Sequence, residues 1–195
     1  MIPNQWYVVL DSSQVKDKPV GVTRMGEKLV FWRDNEGQLS CLRDRCVHRG
    51  VQLSKGRVVS NGRLQCPFHG FEYDVSGRVC KIPANGQNTP VPERFQVHSY
   101  PTYEAHGFVW IWWGEDPTDE LGTPRFFDDL DPAFLYGQVL DPWDAHYSRV
   151  IENQLDVMHL PFVHYNTIGR GCRTLVDGPG VQWLDEDRFR VYVYN

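Results

Sequence analysis

Two short stretches constrain this chain more than anything else in it: "CVHRG" at 46–50 and "CPFHG" at 66–70. Each presents one cysteine and one histidine and closes on a glycine, and seventeen residues separate His48 from Cys66. To use all four side chains on one centre, the chain must fold the two stretches as neighbouring loops of similar shape. Short strands on either side of each loop would do this. The flanking sequence supplies them: "GRVVS" (Gly56–Ser60), "RLQC" (Arg63–Cys66) and "FEYDV" (Phe71–Val75) are β-rich runs, as are "WYVVL" (Trp6–Leu10) and "KLVFWR" (Lys28–Arg33). Between them "DNEG" (Asp34–Gly37), "SNGR" (Ser60–Arg63) and "VSGR" (Val75–Arg78) read as turns, whose Asn, Asp and Gly accept positive φ. "YPTYEAHGFVWIWWG" adds an aromatic hairpin about Glu104–Gly107. This strand–turn spacing predicts an all-β sandwich or barrel over residues 1–114.

Two donor chemistries suit the set Cys46, His48, Cys66 and His69. Zinc accepts two thiolates and two imidazoles. So does a Rieske [2Fe–2S] cluster, in which two histidines replace two cysteines on one iron. Zinc modules usually pair cysteine with cysteine and histidine with histidine within each half. Here each loop holds one of each, as is needed when each loop gives one ligand to each of two irons. The other cysteines, Cys41, Cys80 and Cys172, lie outside the loops and read as free thiols; an odd total of five in a chain of 195 is no disulfide framework.

A second constellation lies in "ENQLDVMHLPFVH", Glu152–His164. "WDAHYSRVIENQLDVMH" is the best helix candidate, with Pro142 and Asp144 as start signals and Val150, Ile151, Leu155 and Met158 as its apolar stripe. Pro161 should end or bend that helix near His159–Leu160. On it Asn153, Asp156 and His159 stand at i, i+3 and i+6, and His164 returns on the next segment. Two imidazoles with a carboxylate beside them suit a non-haem iron(II) site that keeps positions open. The alternative is two unrelated polar residues near a helix end. Before this stretch, the acidic, Pro-rich "EDPTDELGTPRFFDDLDP" reads as a linker or crossover, placing a second domain at 115–195. After it, "GVQWLDEDRFRVYVYN" reads as a hairpin about a "DED" turn.

Taken together, "CVHRG…CPFHGFEYD" and Asn153/Asp156/His159/His164 resemble the Rieske non-haem iron oxygenases. The nearest resemblance is to the oxygenase components of single-subunit monooxygenases, O-demethylases and chlorophyllide or pheophorbide oxygenases. The electron-transport Rieske subunits carry an extra cysteine in each loop, and these loops carry none. The resemblance implies a mainly β, α+β chain: an all-β Rieske domain, then the N-terminal part of a helix-grip catalytic domain. It implies that Cys46, His48, Cys66 and His69 hold the cluster and that His159 and His164 hold a mononuclear Fe(II). Asp156 would link His159 to a Rieske histidine, His48 or His69, of a neighbouring subunit in a homotrimer, with Asn153 near the iron. Electrons would come from NAD(P)H through a reductase, with or without a ferredoxin; O2 and an organic, aromatic substrate would react at the iron. The family's third iron ligand, an aspartate, lies far beyond the two histidines. The carboxylates after His164 are Asp177, Asp185, Glu186 and Asp187, all read as turn residues, so the chain is expected to be a piece of a longer protein.

Composition excludes some classes. The net charge of −5 and the lack of a basic run speak against nucleic acid. No apolar window is long enough for a membrane helix, and the start resembles no signal peptide, so a cytoplasmic location is expected. His98, His106 and His146 show no ligand spacing and read as structural, as do Trp110, Trp112 and Trp113. Arg49 suits either a partner contact or a solvated loop. Two rivals remain. A Rieske ferredoxin without oxygenase chemistry would have no use for the second constellation, and a zinc protein would be colourless.

Overall fold

The unbroken apolar run "LVFW" at 29–32 sets the layout of the first part of the molecule. It lies in a strand buried on both faces. In the computed structural model, which describes residues 2–86, 89–115, 122–124, 135, 137–186 and 188–194, the chain divides into units 1–130 and 131–195.

The first unit is built from β1 (Gln5–Asp11), β2 (Val20–Arg24), β3 (Glu27–Arg33), β4 (Leu39–Arg43), β5 (Arg57–Val58), β6 (Leu64–Gln65), β7 (Glu72–Tyr73), β8 (Val79–Lys81), β9 (Ser99–Tyr100), β10 (Thr102–Ala105) and β11 (Phe108–Trp113). These form three antiparallel sheets, ordered β2-β3-β4-β9, β1-β11-β10 and β5-β6-β7-β8. Successive side chains in a strand point to opposite faces. Leu29 and Phe31 therefore join one core with Val9, Cys41, Val109 and Ile111. Val30 and Trp32 join the other, with Leu42, Leu53, Leu64 and Tyr73. Cys46 and Cys66 belong to this second core, each 3% exposed. Trp32 carries its one polar atom in with it, donating from Nε1 to Gly62 O at 3.1 Å.

The strands read from the sequence are all present with small boundary shifts, and Gly37, Gly62 and Gly77 take the positive φ of their turns. β2, β4, β8 and β9 are additional. The aromatic hairpin forms as β10–β11, with His106 at φ +53 in its turn. β1 pairs along the length of β11, from Gln5↔Trp113 to Asp11↔Phe108. After β11, Glu115 N donates to Asn4 Oδ1 at 3.1 Å, and Trp6 Nε1 donates to Gly122 O at 2.7 Å. Most of the segment read as a linker lies outside the described residues.

The second unit holds α1 (Tyr147–Leu155), α2 (Leu160–Val163) and the hairpin β12 (Asp177–Trp183) with β13 (Phe189–Tyr194). The helix differs from expectation at both ends. It starts after His146, whose Nδ1 caps Ser148 N, and it stops at Leu155 rather than near His159. Asp156 has left helical geometry (φ −81, ψ 98), and its Oδ1 accepts from Met158 N at 2.8 Å. A short acidic side chain that bonds the backbone two residues on competes with the helix ladder and ends it. Pro161 then falls in the first turn of α2, where a missing N–H costs nothing. Asp177 lies in β12 opposite Tyr194 rather than in a turn. Among the described residues of this unit no hydrophobic side chain is buried.

Candidate metal centres

The two loops of the first unit are closed by the same pair of backbone bonds. Cys46 N donates to Val51 O at 2.8 Å and Gly50 N to Cys46 O at 2.9 Å; Cys66 N donates to Phe71 O at 2.8 Å and Gly70 N to Cys66 O at 3.2 Å. Gly50 and Gly70 sit at φ +69 and +71, where a side chain is disfavoured. This common frame brings like donors together. The buried Cys46 thiol lies close enough to Cys66 to help raise its pKa, and the His48 and His69 rings lie 4.7 Å apart. Sulfur with sulfur and imidazole with imidazole is the pairing that a cluster with two cysteines on one iron and two histidines on the other requires. The donor set fits that group.

The surroundings of the two pairs differ. The thiols are buried, which is the main cause of a raised Cys66 pKa; the N–H groups of Phe68 and His69 point at its sulfur and oppose that shift. Such donors would stabilise a metal-bound thiolate. Tyr73, fully buried, donates from its hydroxyl to Cys46 Sγ at 3.1 Å and accepts from Val47 N at 3.0 Å. Burial and the Cys46 contact raise its pKa and keep the phenol protonated. The imidazoles reach the surface. His48 stacks on buried Phe71, 5.1 Å between rings and 4° from parallel, while His69 is covered by Phe68, 4.0 Å away and 61% exposed. Loss of water around the ring, then the nearby His69 and Arg49, lowers the His48 pKa, which favours the neutral ligand form. Tyr73 and Phe71 were not singled out in the sequence; both lie in the "FEYD" run, but nothing in one strand announces which cysteine or histidine it will meet.

In the second unit, one turn of helix separates the two histidines. His159 precedes α2 and His164 follows it, and their rings lie 5.3 Å apart at 67°. Asp156 Oδ2 is 3.6 Å from His159 Nδ1, a buried atom with no hydrogen-bond partner. With Nδ1 turned to Asp156, Nε2 is the ring nitrogen left for a metal. A buried nitrogen without a partner beside a carboxylate and a second imidazole fits an iron(II) ligand pair. Asn153 is exposed on α1, and no hydrogen bond joins its side chain to either histidine. No three His, Cys, Asp or Glu side chains among the described residues gather to hold one ion, so no third protein ligand is present in this set. Asp185 bonds Arg188 at 2.6 Å in the β12–β13 turn, and Asp187 lies outside the described residues.

Comparison with known proteins finds a family match in each part of the chain. Residues 5–101 match the Rieske [2Fe-2S] domain and 143–194 match the vanillate O-demethylase oxygenase C-terminal domain. The chain is 36% identical to chlorophyllide a oxygenase of Chlamydomonas reinhardtii, over 86% of this chain and 25% of that one. It is 34% identical to the vanillate O-demethylase oxygenase subunit of a Pseudomonas species, over 86% of this chain and 46% of that one. The crystal structure of dicamba monooxygenase bound to 3,6-dichlorosalicylic acid superposes with a TM-score of 0.73 at 32% identity, covering 93% of this chain and 53% of that one. The chain spans a quarter to about half the length of these relatives. With a Rieske domain followed in one chain by the C-terminal domain type of a demethylase oxygenase, the protein belongs to the Rieske non-haem iron oxygenases.

Proposed function

We propose that this chain forms the electron-accepting and iron-binding part of an oxygenase component that hydroxylates or demethylates an organic, aromatic substrate with O2. The observation that carries the reading is the pairwise gathering of Cys46 with Cys66 and of His48 with His69 in two loops of one frame, in a chain that also holds His159 and His164 side by side. The cluster would supply one-electron storage, and a mononuclear iron would supply O2 activation. Cys46 and Cys66 would bind the buried iron, and His48 and His69 the exposed one. Tyr73 would hold a proton against the Cys46 sulfur. Asp156 would orient His159 and, across a subunit boundary, receive His48 or His69 of a neighbour in a homotrimer. Asn153 would face the iron pocket without serving as a ligand. A reductase drawing on NAD(P)H, with or without a ferredoxin, would deliver electrons at the histidine pole. Cys41, Cys80 and Cys172, outside the ligand set, are free thiols, which suits a reducing, cytoplasmic setting. No helix among the described residues is long and apolar enough to cross a membrane.

The test is iron and acid-labile sulfide per chain on anaerobically purified protein supplied with Fe(II), with H159A beside the wild type. A Rieske cluster contributes about two irons and two sulfides. The expected result is about three irons and two sulfides for the wild type, with the third iron lost in H159A. Two irons in both proteins would remove the mononuclear site from the reading; a colourless zinc protein would end it.

A further inference from the structure

The two cluster loops are alike at their tips and unlike at their bases. Below the second loop, β6 and β7 pair directly, Leu64↔Tyr73 and Gln65↔Glu72, so the backbone ladder closes it. The first loop has no such ladder. β4 ends at Arg43, and the chain leaves the loop through a single 3-10 turn at Leu53–Lys55. A side chain stands in its place. Asp44, 3% exposed, accepts from Ser54 N at 2.7 Å through Oδ1 and from Ser54 Oγ at 2.6 Å through Oδ2, with Gln52 Nε2 at 3.4 Å from Oδ2. Its own N–H donates to Lys28 O at 2.8 Å, which ties it to β3. Gly21 of β2 leaves room for the arrangement: a Cβ there would lie 2.5 Å from Ser54 Oγ and 3.2 Å from Asp44 Oδ2. One carboxyl therefore joins the residue two before Cys46 to the segment just after Val51, whose carbonyl holds Cys46 N.

We propose that Asp44 is the positioning residue of the first cluster loop. Its carboxyl closes the base of that loop as strand pairing closes the second, and so fixes where Cys46 and His48 meet the cluster. The proposal rests on the reading of those residues as ligands. It predicts an asymmetry: one side-chain change releases one half of the ligand set and leaves the Cys66/His69 half in its ladder.

The full chain carries the test, as wild type, D44A, D44N, S54A and V109A. Val109→Ala removes buried volume from the other core and serves as the control for lost stability alone. Asn at 44 keeps one acceptor oxygen for Ser54 N–H, and the Ser54 hydroxyl can turn to accept from the amide. Two readouts are the rate of cluster bleaching in air and the EPR g values of the reduced cluster that remains. D44A is expected to bleach roughly tenfold faster, the low end of what loss of a ligand-orienting partner does to metal retention. Its g values should shift, S54A should show the same shift in milder form, and D44N should restore both readouts. V109A should keep wild-type g values. If D44A does not fold, the S54A shift carries the test. Wild-type g values in D44A or S54A overturn the proposal, as does bleaching in D44A and V109A that simply follows their thermal midpoints. A wild-type chain with no Rieske signal overturns the ligand reading along with it, so the two failures are told apart by the wild type.

Discussion

Tyr73 is placed to set a property of the proposed cluster site without being a ligand. Its hydroxyl reaches Cys46 Sγ at 3.1 Å from a position seven residues beyond Cys66. A donor to a cluster sulfur stabilises the reduced, more negative state, so Y73F should lower the reduction potential. A hydrogen bond of about 1 kcal/mol, at about 59 mV per tenfold in a one-electron equilibrium, makes the drop on the order of 40 mV. Protein-film voltammetry reads it directly, and an unchanged potential would refute the role. At this scale the sequence is legible for the proposed ligands and mute on their neighbours. Cys46, His48, Cys66 and His69 stand out because metal chemistry allows few residue types and fixes their spacing. Tyr73 is an ordinary strand residue, and Phe71 and Asp44 ordinary residues next to strand ends, until the register of β6, β7 and β4 decides what each one faces.

Among the elements, β3 has the sharpest requirement. Both its faces are core, so every residue from Leu29 to Trp32 is packed. Trp32→Phe would leave a cavity and strip Gly62 O of its donor, and should cost about 2–4 kcal/mol in urea unfolding of the first unit. The all-β reading of residues 1–114 follows from turn chemistry and strand spacing, which are local signals. The end of α1 is not such a signal. Apolar periodicity carries the helix past Leu155, and only the bond from Asp156 to Met158 N shows why it stops there. That early stop frees Asp156 Oδ2 to face His159. D156A should therefore weaken Fe(II) retention roughly tenfold or more while the cluster stays in place, measured as iron per chain after dialysis.

For the molecule as a whole, one tie between sheets makes part of the stability depend on pH. Arg33 of β3 bonds Glu104 of β10 at 2.6 Å and 2.9 Å while also holding Ser12 and Val15. The Arg33 guanidinium, first of all, lowers the Glu104 pKa. A carboxylate depressed in the folded state adds stability above its unfolded pKa of about 4.3 and loses it as pH falls through the folded value. E104Q should thus cost on the order of 1 kcal/mol at pH 7, discounted for its partial exposure, and the difference should vanish in acid. Denaturation at pH 7 and pH 3 gives both numbers. The two units should also exchange amide hydrogens at different rates. Residues 147–194 have no buried hydrophobic side chain among those described, so their amides should exchange well before those of β3, β4 and β11. Finally, β1 and β11 run side by side with Asn4 against Glu115, so the two ends of the all-β segment 4–115 lie together. A segment whose ends meet can be spliced into another polypeptide, or cut and rejoined elsewhere, with the loops at 46–50 and 66–70 undisturbed. With the cluster proposed for those loops, it would be a portable redox cassette.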